Sequence, residues 1–442
     1  MAQKINPKIA ILGAGLAGIS LGYFLKQLGI PCQIFEKEHQ IGGLCRSTKI
    51  NDFTFDCCGH LLHFRHRHSL SLIQNILRHN LIQHKRNAWI HSFQRFTRYP
   101  FQVNLHGLPH NILKKSLVDF ITANTDGVKP LPHNFLEWCY RNFGEGITEH
   151  FMHPYNKKFW TVAPQKLCYE WVDKFVVVPT LRQVIEGTVE ENRRNLGYHS
   201  FFWYPRSGGI EELIKGFSSH IHHIHTGYEV FQINPIAREI YFKNGKVTKY
   251  DLLISTIPLP QLSKILTTVP RGVAGDFKKL RWVSIYNINL GVRQKVKPDW
   301  HWIYFPEKEY RFFRVGFSHN FSSSVVPPGR SALYVEVSYS KEKPLDKKTI
   351  LLQVIDDLIK VNILPSKSSI EASVINDVKY AYPLYDLNWR TARTNILHSL
   401  HGYKIFPIGR FGGWQYMSME DVMLEAQSLA EMISHNGIYQ KS

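Results

Sequence analysis

The run Lys8-Ile-Ala-Ile-Leu12 leads without a break into Gly13-Ala-Gly15-Leu-Ala-Gly18. No other feature narrows the fold as far. Lys8 to Leu12 is a short apolar run of the kind that forms a buried parallel strand. Ile19 to Leu28 reads as an amphipathic helix, and Pro31 to Phe35 as a second strand that ends at Glu36. The order is strand, glycine turn, helix, strand. Gly13 permits the tight turn, and Gly15 lets the backbone approach a pyrophosphate. Gly18 lets the helix pack on the strand. The helix N-terminus, opening at Leu16 and Ala17, faces the anion. Glu36 stands where a carboxylate accepts both ribose hydroxyls. The expectation is a dinucleotide site.

A second glycine pair follows in Ile41-Gly-Gly43-Leu44-Cys-Arg46-Ser47. It resembles the flavoprotein extension of the fingerprint found in the amine-oxidase and glutathione-reductase-like superfamily. That resemblance implies FAD rather than NAD, with Arg46 placed to neutralise the pyrophosphate. Thr226 to Val230 fits the strand that returns to the nucleotide-binding part, with Val230 near the adenine. Tyr250 to Pro258 fits the strand that rejoins it.

Composition sets the remaining bounds. The 442 residues are 44% hydrophobic and 20% charged, which excludes a disordered or collagen-like chain. The net charge of +19 favours anionic partners, without choosing among them. Six cysteines, with no zinc spacing, fit reduced thiols in a cytoplasmic protein rather than a disulfide framework. No signal peptide, membrane span, nucleic-acid motif or metal site is expected. The His220 to His225 cluster lacks carboxylate or Cys partners.

The expected architecture is α/β plus α+β. A discontinuous Rossmann-type FAD-binding domain takes residues 1–95, 200–262 and 400–442. A mainly helical substrate-binding and mobile-loop domain takes 96–199, because Leu, Ile and Phe recur there at helical spacing. An antiparallel β-sheet domain takes 263–399, where apolar and polar residues alternate, as in Ala332-Leu-Tyr-Val-Glu-Val-Ser338.

Several motifs occur in one order along residues 8 to 425. They are Phe55-Asp-Cys-Cys-Gly59-His60, Arg98-Tyr99-Pro-Phe-Gln102, Phe151-Met-His-Pro-Tyr-Asn156-Lys-Lys-Phe-Trp160, Trp302-Ile-Tyr304, Phe313-Arg314 and Gly409-Arg410-Phe-Gly-Gly-Trp-Gln-Tyr416. Together they resemble the UDP-galactopyranose mutase family, in its eukaryotic-type branch. The resemblance implies exchange of a nucleotide-linked sugar between pyranose and furanose forms. UDP-galactopyranose and UDP-galactofuranose are the named pair, in the service of cell-surface polysaccharide synthesis. It implies that reduced FAD attacks the anomeric carbon through N5, that the sugar opens and recloses, and that the diphosphate recaptures it. NADPH or NADH would be a transient reductant, and a homo-oligomer would be compatible.

The same resemblance assigns residues. Arg314, Arg410, His60 and Tyr382 are the expected catalytic group, with Arg410 open to either substrate or FAD phosphate. FAD would meet Gly13, Gly15, Leu16, Ala17, Gly18, Glu36, Lys37, Gly43, Leu44, Arg46, Gly59, His60, Val230, Gly409, Arg410 and Met419. Substrate would meet Tyr99, Gln102, Asn156, Trp160, Tyr304, Arg314, Tyr382 and Tyr416. The family's eukaryotic-type branch carries an Arg on a mobile loop over the diphosphate; that register here holds Phe175, with Lys174, Arg193 and Arg194 nearby. Loss of that cation opens a competing expectation, an FAD-dependent oxidoreductase of the amine-oxidase or protoporphyrinogen-oxidase class.

Overall fold

The computed structural model describes residues 7–125, 127, 129–172, 175–191, 200–269, 272–297 and 299–435. Lys174, Arg193 and Arg194 lie outside the described residues.

The glycine fingerprint forms strand β1 (Ile9–Leu12), helix α1 (Leu16–Gln27) and strand β2 (Cys32–Phe35). All four β1 residues are buried, as a run without polar interruptions requires. Gly13 sits at φ +100°, and a Cβ at Gly18 would stand 2.0 Å from the Gly13 carbonyl oxygen. The helix therefore approaches the turn more closely than any side chain permits. β1 pairs in parallel with β2 on one side and with Leu252–Ser255 on the other. Ile405–Pro407 and Ile224–His225 complete a five-stranded sheet. In chain order its strands lie 5-4-1-2-3, a doubly wound arrangement whose reversal point falls at β1. Helix Met419–His435 packs on α1 and covers one face.

A seven-stranded sheet forms the second layer. Its order is Ile370–Pro383, Trp282–Val292, Ser331–Tyr339, Arg314–Phe317, Trp302–Tyr304, Ala88–Ser92 and Arg95–Arg98. It is antiparallel except where Trp302–Tyr304 runs parallel to Ala88–Ser92. The alternation in the sequence marks these strands well, but helix Ile350–Lys360 interrupts them and buries its apolar face against the sheet. Two expectations change. Residues 88–98, expected to divide at 95/96 between the FAD-binding and helical domains, instead form one hairpin on this sheet, where Trp302–Tyr304 supplies its hydrogen-bonding edge. Val230 opens a separate three-stranded antiparallel sheet with Glu239–Phe242 and Val247–Lys249. The strand that joins β2 is Ile224–His225 instead.

A helical layer of His110–Thr125, Phe135–Ile147, His153–Trp160 and Leu181–Val189 packs against the seven-stranded sheet. Asn134 caps its helix by accepting from the Glu137 N–H at 3.0 Å. Phe101, Phe120, Phe135, Phe143 and Trp160, each at most 1% exposed, form the core beneath. Each such ring contributes about 1.5–3 kcal/mol relative to exposure.

Candidate active site

Five separate stretches of chain converge on a cavity of about 190 Å³ between the layers. The first is Cys58 to His63, following the strand Phe53–Asp56. The second is Arg86 and Tyr99 at the two ends of the Ala88–Arg98 hairpin. The third is Trp302, Tyr304, Arg314, Tyr334 and Glu336 on three neighbouring strands of the large sheet. Val378, Ala381 and Tyr382 form the fourth and Arg410 with Tyr416 to Met419 the fifth, while Leu44 and Phe175 also line the space.

Strand register builds the charged part. Tyr304 lies opposite Arg314, and Arg314 opposite Glu336. The Arg314 Nε donates to Glu336, whose side chain is 2% exposed. Glu336 Oε1 also accepts from the Gly59 N–H at 3.4 Å. The Glu336 carboxylate raises the Arg314 pKa well above its ordinary value, although burial opposes it. The Tyr334 ring leaves no room beside Gly59: a Cβ there would meet it at 2.7 Å. Arg410 donates through Nε to the Met417 carbonyl at 3.0 Å and lies over the Tyr382 and Tyr416 rings at 5.4 and 5.1 Å. Arg86, 3% exposed, lies 4.9 Å from the Tyr99 ring centroid. Burial lowers its pKa.

The two histidines add no charge. Burial pushes His60 down to about 4, helped by Arg410 and Arg314. Burial does the same to His63, also to about 4. The His60 Nδ1 is buried without a hydrogen-bond partner. Among the described wall residues, three guanidiniums therefore face one carboxylate. Burial pushes the Tyr99, Tyr334, Tyr382 and Tyr416 phenols up, which keeps them as O–H donors.

Ten of the expected site residues meet here. Gly59, His60, Leu44, Tyr99, Tyr304, Arg314, Tyr382, Arg410, Tyr416 and Met419 line the cavity. Three expected substrate residues do not. Gln102 is buried and donates through Nε2 to the Val177 carbonyl at 2.7 Å, which ties it to the backbone after Phe175. Asn156 donates through Nδ2 to the Met152 carbonyl at 2.8 Å within its own helix. Trp160 stands behind the wall, with its ring centroid 6.2 Å from that of Tyr382. Arg86, Tyr334 and Glu336 are wall residues that the sequence reading missed. The signal for two of them was present: Tyr334 and Glu336 are period-two polar positions in an otherwise apolar strand. Phe175 packs on Tyr416, with ring centroids 4.3 Å apart.

The nucleotide cradle lies at the reversal point of the parallel sheet. Gly15 and Gly42 form a bridge there, and a Cβ on Gly43 would stand 3.2 Å from the Gly15 Cα. Two bare backbones thus form one cradle over the first turn of α1, which holds no acidic residue. Glu36, 8% exposed, orders the cradle by accepting from the Ala14 N–H at 2.8 Å and the Glu38 N–H at 3.0 Å. The Arg46 Nε donates to the Gly43 carbonyl at 2.9 Å. Lys37 points outward to Glu38, and Gly409 lies 2.7 Å from Ala17 as measured from an added Cβ. The cradle and the cavity are joined through Leu44 and Met419. A dinucleotide with a planar head fits this path.

A doubly wound nucleotide sheet carrying such a cradle, beside a cavity walled by a second sheet, is the arrangement of an FAD-dependent flavoenzyme. The chain belongs to the flavin-containing amine oxidoreductase family, whose model matches residues 16–417. The solved structure of reduced UDP-galactopyranose mutase superposes with a TM-score of 0.92 at 27% identity, covering 98% of this chain and 96% of that one. A structure titled as a protoporphyrinogen oxidase from Exiguobacterium sp. gives 0.76 at 14% identity, covering 97% and 99%. A 4,4'-diapophytoene desaturase from Methylomonas sp. is 46% identical over 48 residues, which is 11% of this chain and 9% of that relative. No described helix is long and apolar enough to cross a membrane.

Proposed function

We propose that this flavoenzyme is a nucleotide-sugar mutase interconverting pyranose and furanose forms, with a UDP-linked hexose such as UDP-galactose as substrate. One observation carries the reading: the cavity wall holds Arg86, Arg314 and Arg410 against the single carboxylate of Glu336. A protonated amine would enter against that charge, whereas a diphosphate enters with it. Guanidinium forks and phenol donors from Tyr304, Tyr382 and Tyr416 suit phosphate oxygens. The Tyr99 ring offers a stacking face on the nucleotide side. FAD held along the Gly15 and Gly43 cradle would, when reduced, supply the nucleophile for the anomeric carbon. The protein's part is to hold the diphosphate as leaving group, to keep water from the opened sugar and to orient the sugar toward the flavin. His60, neutral at physiological pH through burial, accepts or donates one hydrogen bond there without adding charge. Gln102 and Asn156 act from behind by fixing the chain that carries Phe175 and Tyr155. NADPH or NADH is the proposed reductant, and the cytoplasm the proposed compartment.

The test is product analysis under anaerobic conditions. Protein with chemically reduced flavin meets UDP-galactopyranose, UDP-galactofuranose and a panel of other nucleotide hexoses, beside an oxidised-flavin control. Interconversion confined to the reduced samples supports the mutase. No conversion across the panel overturns it. Phe175 favours a second reading: a ring on Tyr416 in place of a cation suits a less charged substrate, as in an amine or porphyrinogen oxidase. Bleaching of oxidised flavin by such a compound, with the panel silent, would establish that alternative.

A further inference from the structure

Three of the six cysteines meet beneath the cavity. Cys45 is buried, its Sγ 4.0 Å from the Met419 sulfur. Cys57 and Cys58 are consecutive and half-buried. Cys58 lines the cavity next to Gly59. Its backbone lies at φ 64°, the left-handed region that side chains other than Gly, Asn and Asp seldom adopt. Its N–H donates to Asn287 Oδ1 at 3.1 Å, and that oxygen also accepts from Asn289 at 3.1 Å and Asn376 at 2.9 Å. The strained residue is thus held in place by three strand side chains of one polar cluster. No His, Cys, Asp or Glu group among the described residues is arranged to bind a metal. A left-handed cysteine anchored this firmly, with its thiol against a second thiol, calls for a role that a glycine would not fill.

We propose that Cys57 and Cys58 form a dithiol modification site that closes to a vicinal disulfide, with a low-molecular-weight disulfide such as oxidised glutathione as the oxidant. Cys57 gives its proton to water, and its sulfur attacks one sulfur of the oxidant. The S–S bond of the oxidant breaks, and the departing thiolate takes up a proton. Cys58 then loses its proton, and its sulfur displaces the second small thiol from Cys57. Two protein thiols and one small disulfide become one protein disulfide and two small thiols, with two electrons passing to the oxidant. Cys58 is the resolving partner. The neighbouring Cys57, together with burial, pushes its thiol pKa well up, so it reacts only once the mixed disulfide stands beside it. Closure acts directly on the next two residues, Gly59 and His60, which face the cavity.

The experiment uses the full chain with its flavin. It is incubated with oxidised glutathione, denatured in N-ethylmaleimide and digested with trypsin. Cleavage after Lys49 and Arg65 leaves both cysteines on a peptide that lacks Cys45. The expected peptide carries neither label and is lighter by two hydrogens, while Cys32, Cys139 and Cys168 stay labelled. Cys58→Ser is expected to trap a stable glutathione adduct on Cys57. Phenylarsine oxide, which bridges paired thiols, should protect the wild-type peptide from labelling. A cross-link between Cys45 and Cys57 would overturn the proposal. So would a stable glutathione adduct on the wild-type pair, or full labelling of both thiols when the free surface thiol of a control protein is consumed.

Discussion

Replacing Glu336 with Ala removes the carboxylate from the most buried ion pair in the cavity wall. Glu336 is 1% exposed and accepts from both Arg314 and Gly59. Its loss leaves a guanidinium held among rings, with its Cζ 5.8 Å from the Phe313 and Tyr334 centroids. Breaking such a pair from one side costs about 3–5 kcal/mol. An unfolding entropy of about 2.1 cal/mol/K per residue gives about 0.9 kcal/mol/K for 442 residues, hence a fall in Tm of about 3–5 °C. Arg314→Met should cost a similar amount, since it strands the carboxylate. The double variant, with an apolar residue at each position, should recover most of the loss, because the desolvation penalty disappears with both charges. Calorimetry on the four proteins closes the cycle. A coupling energy below about 1 kcal/mol, the range of exposed pairs, would refute the view that this pair is desolvated and mutually dependent.

Other outcomes follow from single contacts. Gly18→Ala puts a Cβ 2.0 Å from the Gly13 carbonyl oxygen; flavin content per chain, read by absorbance, should fall at least tenfold while the second sheet stays folded. Asp56 is pushed up to about 6 by burial, although Ser47, Tyr204 and Ile210 all donate to it. Its folded pKa lies above its unfolded value, so its contribution is fully present below about pH 4 and is lost as pH rises through 6. Asp56→Asn should therefore gain stability relative to the wild type between pH 4 and 6, and parallel denaturation curves at both pH values would contradict this. His60 and His63 run the other way: their folded pKa values are depressed to about 4, so their contribution is present above pH 6.5 and is lost as pH falls toward 4. Phe175→Arg restores a cation next to Tyr416, and UDP binding measured by calorimetry should tighten about tenfold, the yield of one charge-assisted hydrogen bond.

What the sequence made legible depended on how local the physics is. Gly13, Gly18 and Glu36 act on neighbours within one strand–helix–strand unit, so their spacing alone was informative. The alternation from Ser331 to Tyr339 announced a strand and its two faces. It could not announce that Glu336 faces Arg314, because that depends on the register between two strands. Arg86 was missed for the same reason: its neighbour Tyr99 is reached only after a hairpin folds back. Gln102 and Asn156 show the converse. Their positions matched a motif, but an amide can turn to whichever carbonyl is nearer, and here both turn to backbone. Val230 was placed in the nucleotide sheet, five residues beyond the strand end that belongs there, because a two-residue strand leaves almost no pattern to read.

The order of strands in the nucleotide sheet has a consequence for the chain as it is made. β1 and β2 leave the ribosome before the other strands of this sheet, yet the second neighbour of β1 arrives with Leu252–Ser255 and the last strand with Ile405–Pro407. The cavity wall is completed later still, by Tyr416 to Met419. For nearly the whole of synthesis the nascent chain therefore carries an apolar sheet edge with no neighbour. It can close around its cofactor only once the segment after Arg410 has emerged, so a ribosome stalled before the final helix would hold a chain without cofactor that is prone to chaperone capture.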